Sequence, residues 1–298
     1  MDDLKWIECR IHTSYEAQEA IANILHELGV SGIVIEDSDK GEKTLLEGIY
    51  IKAYLPKDHL LEEKILHIEK AIENIHQSGI NTGSCEMTFT EIANEDWATS
   101  WQKYYQPINI SPNMKIVPTW EDVKKEHEEQ VVIELDPGLA FGTGSHATTA
   151  LCLRALESNV KKGDTIIDVG CGSGILSIAS ILLGAAHVLA IDEDEVAIKS
   201  TQQNAVLNDV SQWLTTKQSN LLSKQTYKVD LIVSNILAEV IVSFAHDAWT
   251  YLLDGGLFIT SGIIERKSEQ VIDTLKDVGF KIVHIDREDG WVCIIAQK

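Results

Sequence analysis

The 298-residue chain has no Cys-x-x-Cys pair; its five cysteines, Cys9, Cys85, Cys152, Cys171 and Cys293, are scattered. That spacing argues against a zinc site and a disulfide framework and fits a reducing compartment. No apolar run approaches the roughly 20 residues that a membrane-spanning helix needs. The opening Met1-Asp2-Asp3-Leu4-Lys5 is acidic where a secretory signal would be basic and then apolar, so a cytoplasmic protein is expected. Basic residues are also in deficit. Lysine and arginine number 25 against 46 acids, for a net charge of -21, which disfavours a broad phosphate-binding surface and direct contact with nucleic acid. No cluster of His, Cys and Asp has ligand spacing, so no metal is expected.

What remains is an ordinary globular composition, 44% hydrophobic and 24% charged, at a length that suits two domains of about 100 to 200 residues each. The charge is uneven. Residues 1–93 hold 18 acids and 8 bases, whereas residues 94–298 hold 28 and 17 over twice the length. The N-terminal third is therefore the denser negative surface, able to steer a lysine-rich protein; solubility alone is the plainer alternative.

Residues 1–93 read as strand, helix, strand, strand, helix, strand. Ile7, Cys9 and Ile11 alternate on one strand face, and Thr13 with Glu16 has the form of a capping box. A helical stripe of Ala17, Ala20, Ile21, Ile24, Leu25 and Leu28 follows, then two strands, then a second stripe from Leu60 to Ile75 and a strand over 85–92. This order is the split βαβ, or ferredoxin-like, motif. Residues 94–106 carry Trp97, Trp101, Tyr104 and Tyr105 at helical spacing and are read as a linker helix packed by its aromatics. Strands are expected over 114–120 and 131–135, separated by a charged loop. From residue 165 strands and helices alternate, which implies a mostly parallel sheet with helices on both faces and a ligand at the carboxyl ends of its strands. The final strands, 281–286 and 291–296, flank Asp289-Gly290 and should form an antiparallel edge hairpin.

The chemistry is concentrated after the first strand of that alternating region. Asp168-Val169-Gly170-Cys171-Gly172-Ser173-Gly174 places glycines at alternate positions, where a backbone must turn sharply and approach a ligand. A dinucleotide fingerprint, G-x-G-x-x-G, fails because the third glycine comes one residue early, at Gly174. Asp168 beside the loop would repel a pyrophosphate but favour a ligand bearing ammonium and sulfonium charges. Asp192 ends the next strand, where a carboxylate can accept from both hydroxyls of a ribose. Together these point to S-adenosylmethionine.

Two further segments carry a resemblance. Asp136-Pro137-Gly138-Leu139-Ala140-Phe141-Gly142-Thr143-Gly144-Ser145-His146-Ala147-Thr148-Thr149 precedes a helix, and Asn235-Ile236-Leu237-Ala238 ends a strand. With Asp96-Trp97-Ala98-Thr99-Ser100-Trp101, they make nearly the whole chain similar to the bacterial methyltransferases of large-subunit ribosomal protein L11. The resemblance implies an α/β architecture, with a Rossmann-like seven-stranded domain over 107–298 preceded by a ferredoxin-like α+β domain over 1–93 that recognises the substrate. It implies transfer of methyl groups to lysine side chains and the α-amino terminus of that basic protein, each to the trimethylated state. Family cofactor contacts fall on Thr149, Gly170, Asp192 and Asn235, beside Asp168, Gly172 and Gly174 from the loop itself. Ala147 stands where some members have proline.

Asn235 is the candidate to accept a proton of the attacking amine through its carbonyl, and His146 is a candidate general base whose alternative role is a helix cap. Phe141 could wall a pocket for the growing methylated cation or belong to a core. A methyltransferase acting on another protein or a small amine, and a non-catalytic scaffold that docks on a basic protein, are the competing readings.

Overall fold

A computed structural model describes residues 6–28, 30, 33–37, 48–57, 61–92, 106–121, 125–136, 146–223 and 225–298. The chain forms two compact units that divide after Gln106. The linker aromatics Trp97, Trp101, Tyr104 and Tyr105, and Phe141 with the glycines at 138, 142 and 144, lie outside the described residues.

The first unit runs β1 (Trp6–Thr13), α1 (Gln18–Glu27), β2 (Ile33–Asp37), β3 (Ile49–Pro56), α2 (Leu61–Gln77) and β4 (Met87–Ile92). Its sheet has the order β2-β3-β1-β4 with every neighbouring pair antiparallel. This is two split βαβ units interleaved, as the element order predicts. Cys9 and Ile11 of β1 pack with Ile21 and Leu25 of α1 and Ile68 and Ile72 of α2 in one core. The expected capping box is not the arrangement seen at Thr13. Thr13 is still the last residue of β1, so its hydroxyl reaches across to donate to the Thr82 carbonyl at 2.8 Å, and Ser14 Oγ accepts from the Ala17 amide at 3.3 Å.

The second unit opens with a small sheet that only partly follows from the sequence pattern. β6 (Met114–Pro118) and β7 (Val131–Leu135) match the two expected strands and pair in parallel, and β5 (Ile108–Ser111) adds an antiparallel partner to β6. Then come α3 (Ala147–Asn159), β8 (Thr165–Val169), α4 (Ile175–Leu182), β9 (His187–Asp192), α5 (Glu195–Leu207), β10 (Leu214–Gln218), β11 (Val229–Asn235), α6 (Ala238–Tyr251), β12 (Leu252–Ile264), α7 (Ser268–Val278), β13 (Lys281–Glu288) and β14 (Trp291–Gln297). They build a seven-stranded sheet in the order β10-β9-β8-β11-β12-β14-β13. Ile166 and Ile167 of β8 and Leu231, Ile232 and Val233 of β11 are buried on both faces of the sheet because helices cover both sides, the signature of buried parallel strands. Ile166, Leu231 and Val233 enter the core shared with α3 and α4, whereas Ile167, Ile232 and Phe258 enter the one shared with α6 and α7. Each such side chain contributes about 1.5 to 3 kcal/mol by leaving water.

The last two strands form the expected hairpin, with β14 antiparallel to both of its neighbours, β12 and β13. The strand that reverses direction is thus held inside the sheet, and β13 is the edge. Strand order switches between β8 and β11. In an open sheet of this kind the crevice at the carboxyl ends of the strands beside that switch is where a ligand binds.

Candidate active site

Register brings the predicted residues to one end of the sheet. Val169 of β8 pairs with Ile191 of β9 and with Ser234 of β11, so Gly170, Asp192 and Asn235 all follow at the same level. The glycine loop is tied down by its own backbone: the Gly170 and Cys171 amides both donate to the Ile191 carbonyl, at 2.8 and 3.1 Å. Gly170, Gly172 and Gly174 have φ of 77°, 52° and 81°, left-handed conformations that suit glycine. Gly174 then caps α4.

Asp192 joins the loop to the next helix. Its Oδ2 accepts from the Gly172 amide and its Oδ1 from the Asp194 amide, both at 3.0 Å. Each oxygen keeps a further lone pair for a ligand hydroxyl. Asp168 is fully buried beneath the loop. Ser177 of α4 donates its hydroxyl to Asp168 Oδ2 at 2.7 Å, while Oδ1 has no hydrogen-bond partner among the described residues. Burial pushes the Asp168 carboxyl up to about 7; the Ser177 bond opposes that shift and the nearby Asp192 charge adds to it.

Across the switch point, Asn235 donates from Nδ2 to Thr149 Oγ1 at 3.3 Å, and Thr149 is itself buried in the first turn of α3. The amide carbonyl of Asn235 faces no donor among the described residues. Sequence reasoning missed what holds this turn in place. A Cβ on Gly170 would sit 2.5 Å from Ile236 Cγ2, and a Cβ on Gly262 would sit 2.2 Å from the Ile236 carbonyl oxygen. Ile236 is wedged between two glycines, one from β12. The signal was present only as an isolated glycine inside a strand pattern, which marks a bulge or close backbone approach.

His146 is the N-cap of α3. Its Nδ1 lies 3.3 Å from the Thr148 amide, which can only donate, so Nδ1 is the accepting nitrogen and the ring proton sits on Nε2. The ring also stacks edge-on against Trp291 with centroids 4.8 Å apart. Burial lowers its pKa to about 4, against a smaller raising effect from Asp289. The imidazole is neutral at physiological pH with its basic lone pair engaged in the cap. Because the folded value lies below the unfolded one, the stability linked to this group is present above about 6.5 and is lost as pH falls through 4. His146→Asn supplies a capping oxygen in place of Nδ1 and removes the titration. Denaturant unfolding should therefore show a shallower loss of stability between pH 6.5 and 4 than in the parent, with the pH profile of kcat near neutrality unchanged. A kcat profile that shifts would restore the general-base role.

The site can be tested against the group it is read to hold. An orphaned buried carboxylate oxygen at Asp168 suits an ammonium, Asp192 suits a ribose, and neither acid is neutralised by lysine or arginine among the described residues. The same pair would repel phosphates. No group of three or more His, Cys, Asp or Glu that could hold a metal occurs among the described residues.

A seven-stranded sheet with its one reversed strand, a glycine loop flanked by two acids, and an asparagine at the switch point define an S-adenosylmethionine-dependent methyltransferase. The family model for ribosomal protein L11 methyltransferase (PrmA) matches residues 5–298, and the chain belongs to that family. It is 47% identical over 311 aligned residues to the ribosomal protein L11 methyltransferase of Oceanobacillus iheyensis, covering 99% of each chain. It is 48% identical to that of Bacillus subtilis (strain 168), covering 99% of this chain and 100% of the relative. Among solved structures, the ribosomal protein L11 methylase of Lactobacillus delbrueckii subsp. bulgaricus superposes with a TM-score of 0.62 at 37% identity, covering 64% of this chain and 98% of that one. No helix among the described residues is long and apolar enough to cross a membrane.

Proposed function

We propose that the enzyme methylates ribosomal protein L11 in the cytoplasm, at lysine ε-amines and the N-terminal α-amine, each carried to the trimethylated state. The observation that carries this reading is the identity of nearly half its residues with L11 methyltransferases along both units, the N-terminal one included. The ferredoxin-like unit is assigned to hold the substrate, and the excess of acids over bases in residues 1–93 suits a basic protein. The boundaries that go with this reading are a recognition domain over 1–93, a connecting helix over 94–106 and a catalytic domain over 107–298.

When bound, S-adenosylmethionine supplies a methyl group carried on a sulfonium. In this assignment Asp168, Gly170, Gly172, Gly174 and Asp192 hold it, with Thr149 and Asn235 facing the loop from the other side of the switch point. The acceptor must be an uncharged amine, yet at a reference pKa of about 10.4 fewer than about one lysine in a thousand is neutral at pH 7. Desolvation in the crevice lowers that value. In the first two transfers the Asn235 carbonyl accepts one amine N–H and so turns the nitrogen lone pair toward the methyl carbon. Thr149 fixes the amide plane that makes this possible. Each ammonium formed gives its proton to water before the next transfer, and the third acts on a tertiary amine that has no N–H, placed by the walls of the crevice alone. Positioning of this kind, with no charged base, is the principal contribution of the protein.

Incubation with methyl-labelled cofactor and unmethylated ribosomal proteins is the test, read by mass spectrometry. The expected result is three methyl groups on each modified amine of L11; label confined to another protein, or absent, would overturn the assignment. In the same assay Asn235→Ala should lower kcat about a hundredfold at saturating cofactor, and full turnover would remove Asn235 from the mechanism.

A further inference from the structure

We propose that Asn204 is a positioning residue that locks the glycine loop to Asp136, the residue that follows strand β7, so that cofactor affinity depends on it although it stands behind the loop. Asn204 lies on α5 and is fully buried. Its Nδ2 donates to the Ser173 carbonyl at 2.8 Å, and its Oδ1 accepts from the Asp136 amide at 3.3 Å. One side chain thus spans the glycine loop and Asp136, the residue that follows strand β7.

Its neighbours on the same helix serve one end or the other. Thr201, one turn earlier, donates to the Gly172 carbonyl at 3.0 Å and lies where a Cβ on Gly174 would go. Asn208, one turn later, pairs with both backbone groups of Glu134: its Oδ1 accepts from the amide at 2.9 Å and its Nδ2 donates to the carbonyl at 2.7 Å. Residues 201, 204 and 208 are spaced i, i+3 and i+7, so they form one stripe. That stripe is polar and hydrogen-bonded where a helix packed on a sheet would otherwise be apolar. A buried amide satisfied on both ends fixes its partners, and losing it strands a carbonyl and an amide out of water.

This inference rests on the glycine loop being the cofactor site. Binding of S-adenosylhomocysteine is measured by calorimetry for Asn204→Ala, for the isosteric Asn204→Asp, for Asn208→Ala and for Asp192→Ala. Asn204→Asp keeps the acceptor for Asp136 but sets an oxygen against the Ser173 carbonyl. The expected result is a Kd raised about tenfold or more by both Asn204 variants, with the KM for cofactor rising more than kcat falls. Asn208→Ala, which releases β7 and a bond to the Asn204 backbone carbonyl but leaves both side-chain bonds of Asn204 in place, should lower Tm yet leave the Kd within about threefold. Asn204 variants that lower Tm alone, or an Asn208 variant that weakens binding as much, would overturn the proposal. Asp192→Ala keeping parental affinity would instead show that the cofactor binds elsewhere.

Discussion

Gly262→Ala should lower kcat about a hundredfold, because displacing a reacting group by an ångström has that order of effect. Gly262 adopts φ of 83°, and its added Cβ would meet the backbone oxygen, carbon and nitrogen of Ile236 at 2.2 to 2.9 Å. Backbone cannot rotate aside as the end of a side chain can. The residue sits where the register between β12 and β14 shifts, a bulge that lets the 235–237 turn close over the strand end. Alanine there pushes that turn, and Asn235 with it, off the site. Gly255 provides the control: it lies in the same strand with φ of 82° and nothing within 4 Å of its missing Cβ. Gly255→Ala should pay only the left-handed backbone penalty of about 1 to 2 kcal/mol in stability, with kcat preserved. Equal kcat in the two variants would show that the close approach to Ile236 has no role in turnover.

Asp168→Asn should remove a pH dependence of cofactor binding. In the free protein the carboxyl titrates at about 7 because burial disfavours its charge. A cationic ligand favours the ionised form, so binding below that pH must expel a proton. Affinity for S-adenosylmethionine should therefore rise roughly tenfold per pH unit up to pH 7 and level off above it. The asparagine variant should show a flat profile and, at pH 8, a Kd at least about tenfold higher, the loss of one charge-assisted bond. The sign for stability is opposite. A carboxyl whose folded pKa is raised contributes most below its unfolded value and loses that contribution as pH rises through about 7. At pH 8 the free asparagine variant should accordingly unfold at higher denaturant than the parent. Parental pH dependence in the variant would place the cofactor's ammonium away from Asp168.

The alternation of strand and helix was legible because parallel strands covered on both faces carry consecutive apolar residues, as Ile166-Ile167 and Leu231-Ile232-Val233 do. The glycine loop was legible for a local reason too: positive φ at Gly170, Gly172 and Gly174 favours glycine wherever the rest of the chain lies. β5 was not read, since a four-residue strand leaves too short a pattern to separate from a turn. His146 looked like a base or a cap from its place before a helix, and only the position of the Thr148 amide shows which lone pair is taken.

The chain's own order of residues therefore determined the class of sheet, the loop and the two acids around it, each of which depends on local backbone geometry or on periodic burial. Tertiary structure decided the rest. Gly262 matters because Ile236 arrives against it from another strand, and Asn204 because Ser173 and Asp136 converge on it from either side of the chain. Asp168 is perturbed because folding removes its water and leaves one oxygen unpaired. These are contacts between residues distant in sequence, and no local pattern encodes which distant group will come to lie against them.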